Sequence, residues 1–147
     1  MKIISIATSK KKGTRKHRVD KALLIPNHGI RGDAHAGPWH RQVSFLAAES
    51  IEQARKQGME VTLGDFAENI ATWGIDWKRV PVGTQVQLGA SVLVEITQIG
   101  KECHKRCSIF YLAGDCIMPK EGIFARVRNG GTIRVGDSIS ILMKCLP

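Results

Sequence analysis

The stretch GKECHKRCSIFYLAGDCIMPKEG, residues 100–122, carries Cys103, Cys107 and Cys116, with His104 beside the first. Three chemistries use such a cluster: a closed tetrahedral metal site, a disulfide framework, and a thiolate that ligates a soft metal or moves sulfur. Structural zinc takes four ligands, typically as two close pairs, and C-H-x-x-C-x8-C does not supply that spacing. On a helix starting near Cys103, Cys103 and Cys107 share a face, whereas His104 points about 100° away. Cys145 would have to fold back from near the C-terminus to be a fourth ligand. The neighbours Lys101, His104, Lys105 and Arg106 favour the third chemistry, because cations stabilise a thiolate. A thiolate binds soft metals, molybdenum-type centres included, and carries sulfur as a persulfide. For Cys107 and Cys116 the alternative is a small buried apolar residue; Cys145 is read as incidental.

Two other stretches bring polar groups together. In GIRGDAHAGPWHR, residues 29–41, Gly29, Gly32 and Gly37 bracket Arg31, Asp33, His35, His40 and Arg41. Glycines permit close backbone approach to a ligand, so this is a polar loop between strands that suits an anion. Arg31 and Arg41 would donate, His35 would hydrogen-bond and Asp33 would orient. Metal ligation by Asp33, His35 and a thiolate is the alternative. In GDFAENIAT, residues 64–72, Glu68 and Asn69 offer partners for a polar ring edge, or else cap a turn.

Charge narrows the partner. The net charge is +9, and Lys10, Lys11, Lys12, Arg15, Lys16 and Arg18 crowd the N-terminal region. Such a balance favours an anionic partner: nucleic acid, an acidic membrane or a phosphorylated small molecule. Nucleic acid is disfavoured, because one Tyr, four Phe and three Trp leave few stacking groups and no basic helix or aromatic strand motif stands out. No run of apolar residues is long enough to span a bilayer. The N-terminal MKIISIATSKKKG has its apolar and basic parts in the reverse of secretory order. A cytoplasmic protein is expected, which also weighs against disulfides.

Positioning these groups requires elements. The length, 147 residues, suits one domain over 1–147. MKIISIA, VDKALLI (19–25) and RQVSFLA (41–47) are expected strands, and AAESIEQARKQG is the clearest helix, with Gly58 as its stop. TQVQLG (84–89) and SVLVEITQIG (91–100) follow, with Val92, Val94 and Ile96 on one face. Asn129-Gly130-Gly131 signals a hairpin and Val135-Gly136-Asp137-Ser138 a tight turn. Many short strands with Gly-rich turns and few helices predict a mainly-β barrel.

Taken in order, these stretches resemble the MOSC domain, named for the C-terminal domain of molybdenum cofactor sulfurases. The resemblance rests on Lys12-Gly13 with Lys16, Gly32-Asp33-Ala34-His35-Ala36-Gly37 with Arg41, and Gly64 with Glu68-Asn69. It continues through Cys103 after its strand, Gly122-Ile123-Phe124-Ala125-Arg126-Val127, Gly130-Gly131, Ile133, Gly136 and Asp137. It implies a β-rich barrel-like fold that binds the pterin molybdenum cofactor, a cysteine that handles sulfur or ligates the metal, and a role in cofactor sulfuration, biosynthesis or delivery. The alternative is a carrier that presents cofactor or sulfur to a partner molybdoenzyme. Stand-alone bacterial members are the most similar. The N-terminal barrel region of reductase relatives, and the pyridoxal phosphate-binding sulfurase domain of others, are not seen in this sequence. Reductase relatives show C-x-x-C with the metal-bound thiolate second; here the spacing is C-x-x-x-C, so either Cys103 or Cys107 carries the role, with Cys103 favoured and Cys116 as a resolving thiol. The implied cofactor site is Lys12, Lys16, Arg31, Arg41 and Arg126 for the phosphate, Asp33, Glu68 and Asn69 for the pterin edge, His35 for either phosphate or thiolate, and Cys103 for the metal.

Overall fold

The computed structural model describes residues 1–101 and 116–142. The strands are β1 (Lys2–Thr8), β2 (His17–Val19), β3 (Lys21–Ile25), β4 (Gly29–Ile30), β5 (Val43–Ala47), β6 (Ile70–Trp73), β7 (Gln85–Leu88), β8 (Val92–Ile99), β9 (Ile123–Asn129), β10 (Gly131–Arg134) and β11 (Ile139–Ile141). Helix α1 (Ala48–Lys56) follows β5, a 3-10 turn spans Trp77–Arg79, and a single helical turn, α2 (Met118–Glu121), precedes β9.

The mainly-β expectation holds. Eight strands form one sheet in the order β11-β7-β8-β9-β5-β6-β1-β2, and β10-β3-β4 form a second. Alternation explains the packing: β8 buries Val92, Val94 and Ile96, and β9 buries Ile123, Ala125 and Val127 on the same core. Phe45 of β5, Leu24 of β3 and Ile133 of β10 reach that core from both sheets. Full burial of one such side chain is worth about 2 kcal/mol, so this shared interior is what clamps the sheets together.

The expected barrel is incomplete. The start of β1 meets the chain entering β11 through one isolated bridge, Lys2 with Ser138, and through Ile3 N to Asp137 O (2.9 Å) and Gly136 N to Ile3 O (2.8 Å). The curled sheet therefore touches itself, but among the described residues no ladder closes it.

The expected hairpin at Asn129-Gly130-Gly131 is also corrected. β9 pairs with β8 and β5, whereas β10 pairs with β3 in the other sheet. At Gly130 the chain changes sheets; a Cβ there would stand 2.6 Å from the Leu24 carbonyl oxygen, so only glycine fits. The turn at Val135-Gly136 occurs as expected, with Asp137 N donating to Arg134 O.

A second core lies on the outer face, where α1 packs. Ile51 and Ala54 are its buried stripe, and Gly58, at φ +97°, ends it as anticipated. Phe124 joins this second core, because on β9 it points opposite to Ile123 and Ala125.

Candidate functional site

The loop from Arg31 to Gln42 is folded back onto the end of β1. Asp33 N donates to Ile30 O (3.1 Å), Ala34 N to Ser9 O (2.8 Å) and Gly37 N to His28 O (2.7 Å). Asp33 is the hub. Its Oδ1 accepts Ser9 N (3.0 Å) and Lys16 Nζ (2.8 Å), and its Oδ2 accepts His35 N (3.1 Å). Lys16 Nζ spends its other protons on Ser9 Oγ (3.0 Å) and His35 Nδ1 (3.0 Å). Both charged side chains are fully buried, at 0% exposure. A charge pair survives in such surroundings only when its hydrogen bonds are complete, and here they are.

Gly64 delivers Lys16 to this place. Lys16 N donates to Gly64 O (3.0 Å), and a Cβ at Gly64 would lie 2.5 Å from the Lys16 carbonyl oxygen, at φ +91°. Only glycine allows the two backbones so close.

Burial acts first on every group in this cluster. It pulls the Lys16 ammonium below its ordinary pKa, against the opposing pull of Asp33. It pushes Asp33 up, but the Lys16 hydrogen bond and charge outweigh it, so the carboxyl ends below its usual range. Burial together with the Lys16 charge lowers His35 from 6.5 to about 4. His35 is therefore neutral near pH 7.

The far half of the loop is built differently. Trp39 Nε1 donates to His35 O (2.7 Å), which turns the indole into a platform. The Arg41 guanidinium lies over it at 4.7 Å from the ring centroid and over Phe124 at 5.7 Å, and Lys12 Nζ also sits 4.7 Å from the Trp39 ring. Among the described residues, Arg41 Nε and Arg126 Nε are buried with no hydrogen-bond partner. Arg126 shares its strand face with Phe124, two residues before it on β9.

The loop is also tied to the end of β8. His40 Nε2 meets Gln98 Oε1 at 2.8 Å, the Thr97 hydroxyl donates to His40 O, and Gln98 Nε2 donates to Gly100 O (2.7 Å). Lys101, next in the chain, adds positive potential at both Lys16 and His35.

The structure thus gathers Lys12, Lys16, Asp33, His35 and Arg41 around one loop, with Arg126 on the β9 face that carries Phe124. Arg31 lies exposed on the same loop. Glu68 and Asn69 turn inward instead. Glu68 Oε2 accepts Gly64 N (2.6 Å) and Oε1 accepts Phe66 N (3.2 Å), while burial raises its carboxyl to about 7. Asn69 Oδ1 accepts Ser44 N (3.0 Å) and its Nδ2 donates to Ala7 O (3.1 Å), which stitches β5 to β1. Glu68 thus serves the turn that carries Gly64, the capping role that was the alternative, whereas Asn69 ties strands rather than that turn. Cys103, His104, Cys107 and Cys145, with the zinc, disulfide and helix readings that depend on them, lie outside the described residues. Cys116 is half-buried against the second core. No grouping of three metal-ligating side chains occurs among the described residues. No described helix is long and apolar enough to cross a membrane.

Sequence reasoning passed over Ser9 and Trp39. Trp39 had a signal, an aromatic ring within a basic polar loop between His35 and Arg41. Ser9 had none, since its role exists only once Asp33 has folded onto it. Two open clefts beside α1, one lined by Arg55, Met59 and Thr62 and one by Ile4, Ile51 and Trp73, contain none of these residues.

The same architecture occurs in solved structures of low sequence identity. YuaD protein from Bacillus subtilis aligns with a TM-score of 0.77 at 19% identity, over 94% of this chain and 93% of that one. YiiM from Geobacillus stearothermophilus gives 0.73 at 21%, over 97% and 75%, and YiiM from Escherichia coli gives 0.68 at 18%, over 99% and 71%. No match is found among curated proteins. The MOSC domain model matches residues 32–140, from the loop that holds Asp33, His35 and Arg41 to the last strand, and the chain belongs to the MOSC domain family.

Proposed function

We propose that this chain binds the pterin molybdenum cofactor, with Cys103 as the thiolate that handles sulfur or ligates the metal, in cofactor sulfuration, biosynthesis or delivery. One observation carries the reading: the buried Nε–H groups of Arg41 and Arg126 have no partner among the described residues, and Lys12 shares the Trp39 ring with Arg41 on the loop that carries His35. A buried donor without an acceptor costs about 1–3 kcal/mol, so such donors suit a ligand rich in acceptors. The donor set fits the group. Arg41, Arg126 and Lys12 would hold its phosphate, with Arg31 at the exposed end of the loop. His35 offers a neutral hydrogen-bonding edge, and Lys16 and Asp33 hold that edge in place. When bound, the cofactor supplies the metal and its dithiolene sulfurs.

Cys103 stands two positions after Lys101 in the sequence, and Lys101 adds positive potential at His35. Cations near a cysteine favour its thiolate, which supports the assignment. The protein would act in the cytoplasm and exchange cofactor or sulfur with a molybdoenzyme or a biosynthetic partner.

The test is Cys103→Ser. The variant should unfold like the parent but lose sulfur or molybdenum loading, measured by metal analysis and pterin fluorescence on protein made in a molybdenum-sufficient host. Normal loading would overturn the cysteine's role. Turnover of an N-hydroxylated substrate with an electron donor would mark an enzyme, and its absence in fully loaded protein a carrier.

A further inference from the structure

We infer that Lys16 is a positioning residue that locks His35 in the Nδ1-acceptor, Nε2–H tautomer, so that His35 presents a fixed, uncharged hydrogen-bond donor to an anionic oxygen of the ligand. The inference rests on the cofactor-site reading for its ligand, but its structural half stands alone.

An ammonium has only protons to give. Lys16 Nζ lies 3.0 Å from His35 Nδ1, 2.8 Å from Asp33 Oδ1 and 3.0 Å from Ser9 Oγ, so its three N–H bonds have three acceptors. His35 Nδ1 must then carry the lone pair, which leaves the imidazole proton on Nε2. The His35 backbone is fixed, because its N is held by Asp33 Oδ2 and its O accepts from Trp39 Nε1, and the ring itself is held at Nδ1 by Lys16. The Lys16 side chain has no exposure, whereas that of His35 keeps 24%, so His35 is the end of the chain of bonds that reaches the surface. Lys16 itself does not reach a ligand.

The charged groups acting on His35 are Lys16, Asp33, Lys101 and Lys12. Three are cationic. A protonated His35 would add one more positive charge; a neutral N–H gives the ligand direction and leaves the charge to Arg41 and Lys12. Such a donor works unchanged from mildly acidic to mildly basic pH.

The experiment is long-range 1H–15N correlation of the His35 ring in the full chain, first without ligand, then with inorganic pyrophosphate, then with isolated molybdopterin. The expected result is a bare Nδ1 and a protonated Nε2, with no titration between pH 8 and pH 5, and a shift at Nε2 when either probe binds. A proton on Nδ1, or ordinary titration near 6.5, overturns the inference. So does an unmoved Nε2 with both probes, even where pterin fluorescence shows molybdopterin bound; binding absent by fluorescence with Nε2 shifted by pyrophosphate instead removes the cofactor reading and keeps the anion donor. Lys16→Met should free the tautomer and make pyrophosphate affinity pH-dependent, about tenfold weaker at pH 8 than the parent and recovering at pH 5.5, where His35 takes a proton beside Asp33. If that variant fails to fold, Lys16→Met with Asp33→Asn leaves no unpaired charge and must still lose the fixed tautomer.

Discussion

The two halves of one loop solve opposite problems. Around Asp33, every charged or polar atom named has its partner inside the protein: Lys16, Ser9 and His35 close on the carboxylate and on one another. Around Trp39, cations lie on aromatic faces, and Arg41 keeps a buried N–H unanswered among the described residues. A completed network is rigid and stabilising, because breaking any bond exposes the full desolvation cost of the rest. An incomplete one costs stability and offers those donors to something else. The first half is scaffold and the second is surface chemistry, although Asp33 and Trp39 are only six positions apart along the chain.

The comparison breaks most easily at its centre. Asp33→Leu strands a buried ammonium and the N–H groups of Ser9 and His35, and should cost about 3–5 kcal/mol, read as a lower urea midpoint. A loss under 1 kcal/mol would show that the network is not scaffold. Gly64→Ala should cost about 2 kcal/mol by the same measurement, because its Cβ meets the Lys16 carbonyl and φ is left-handed.

Acid sharpens the contrast. The folded pKa of His35, about 4, lies below the 6.5 of the unfolded chain, so its contribution is complete above pH 6.5 and is lost as pH falls towards 4. Measured as the difference between the parent and His35→Gln, about 2 kcal/mol should disappear over that window, allowing for the ring's partial exposure. A flat difference would mean that burial and the Lys16 charge together do not hold the ring neutral.

On the other half the effects on stability should be small and those on binding large. Arg41→Met should change unfolding by about 1 kcal/mol or less, since it keeps a long side chain over Trp39 and removes an unanswered donor. Cofactor or pyrophosphate affinity should fall about tenfold or more. Arg31→Ala, at an exposed position, should move stability by less than about 0.5 kcal/mol and affinity by only a fewfold.

Much of this was legible in the chain alone, and the misses are instructive. Strand alternation in SVLVEI and the capped helix after Ala47 are local patterns, and both elements formed where expected. β6 was passed over, because Ile70-Ala71-Thr72 is buried throughout and shows no alternation. Asn129-Gly130-Gly131 looked like a hairpin because turn chemistry was visible, whereas the partner of the next strand was not. Glu68 and Asn69 looked available to a ligand because both are polar, while their acceptors and donors are in fact taken by Gly64, Phe66, Ser44 and Ala7.

By itself the sequence determined the elements, the mainly-β class, the cationic loop with its glycines, and the ordered motifs of the family, since all of these are written in neighbouring residues. Which cations face inward and which remain available was decided only by the tertiary structure. Lys12 and Lys16 are four positions apart and read alike, yet one meets Asp33 from across the fold and is buried, while the other meets Trp39 and is not. A side chain's burial and charge depend on the partners that distant segments bring to it, and no local pattern encodes those partners.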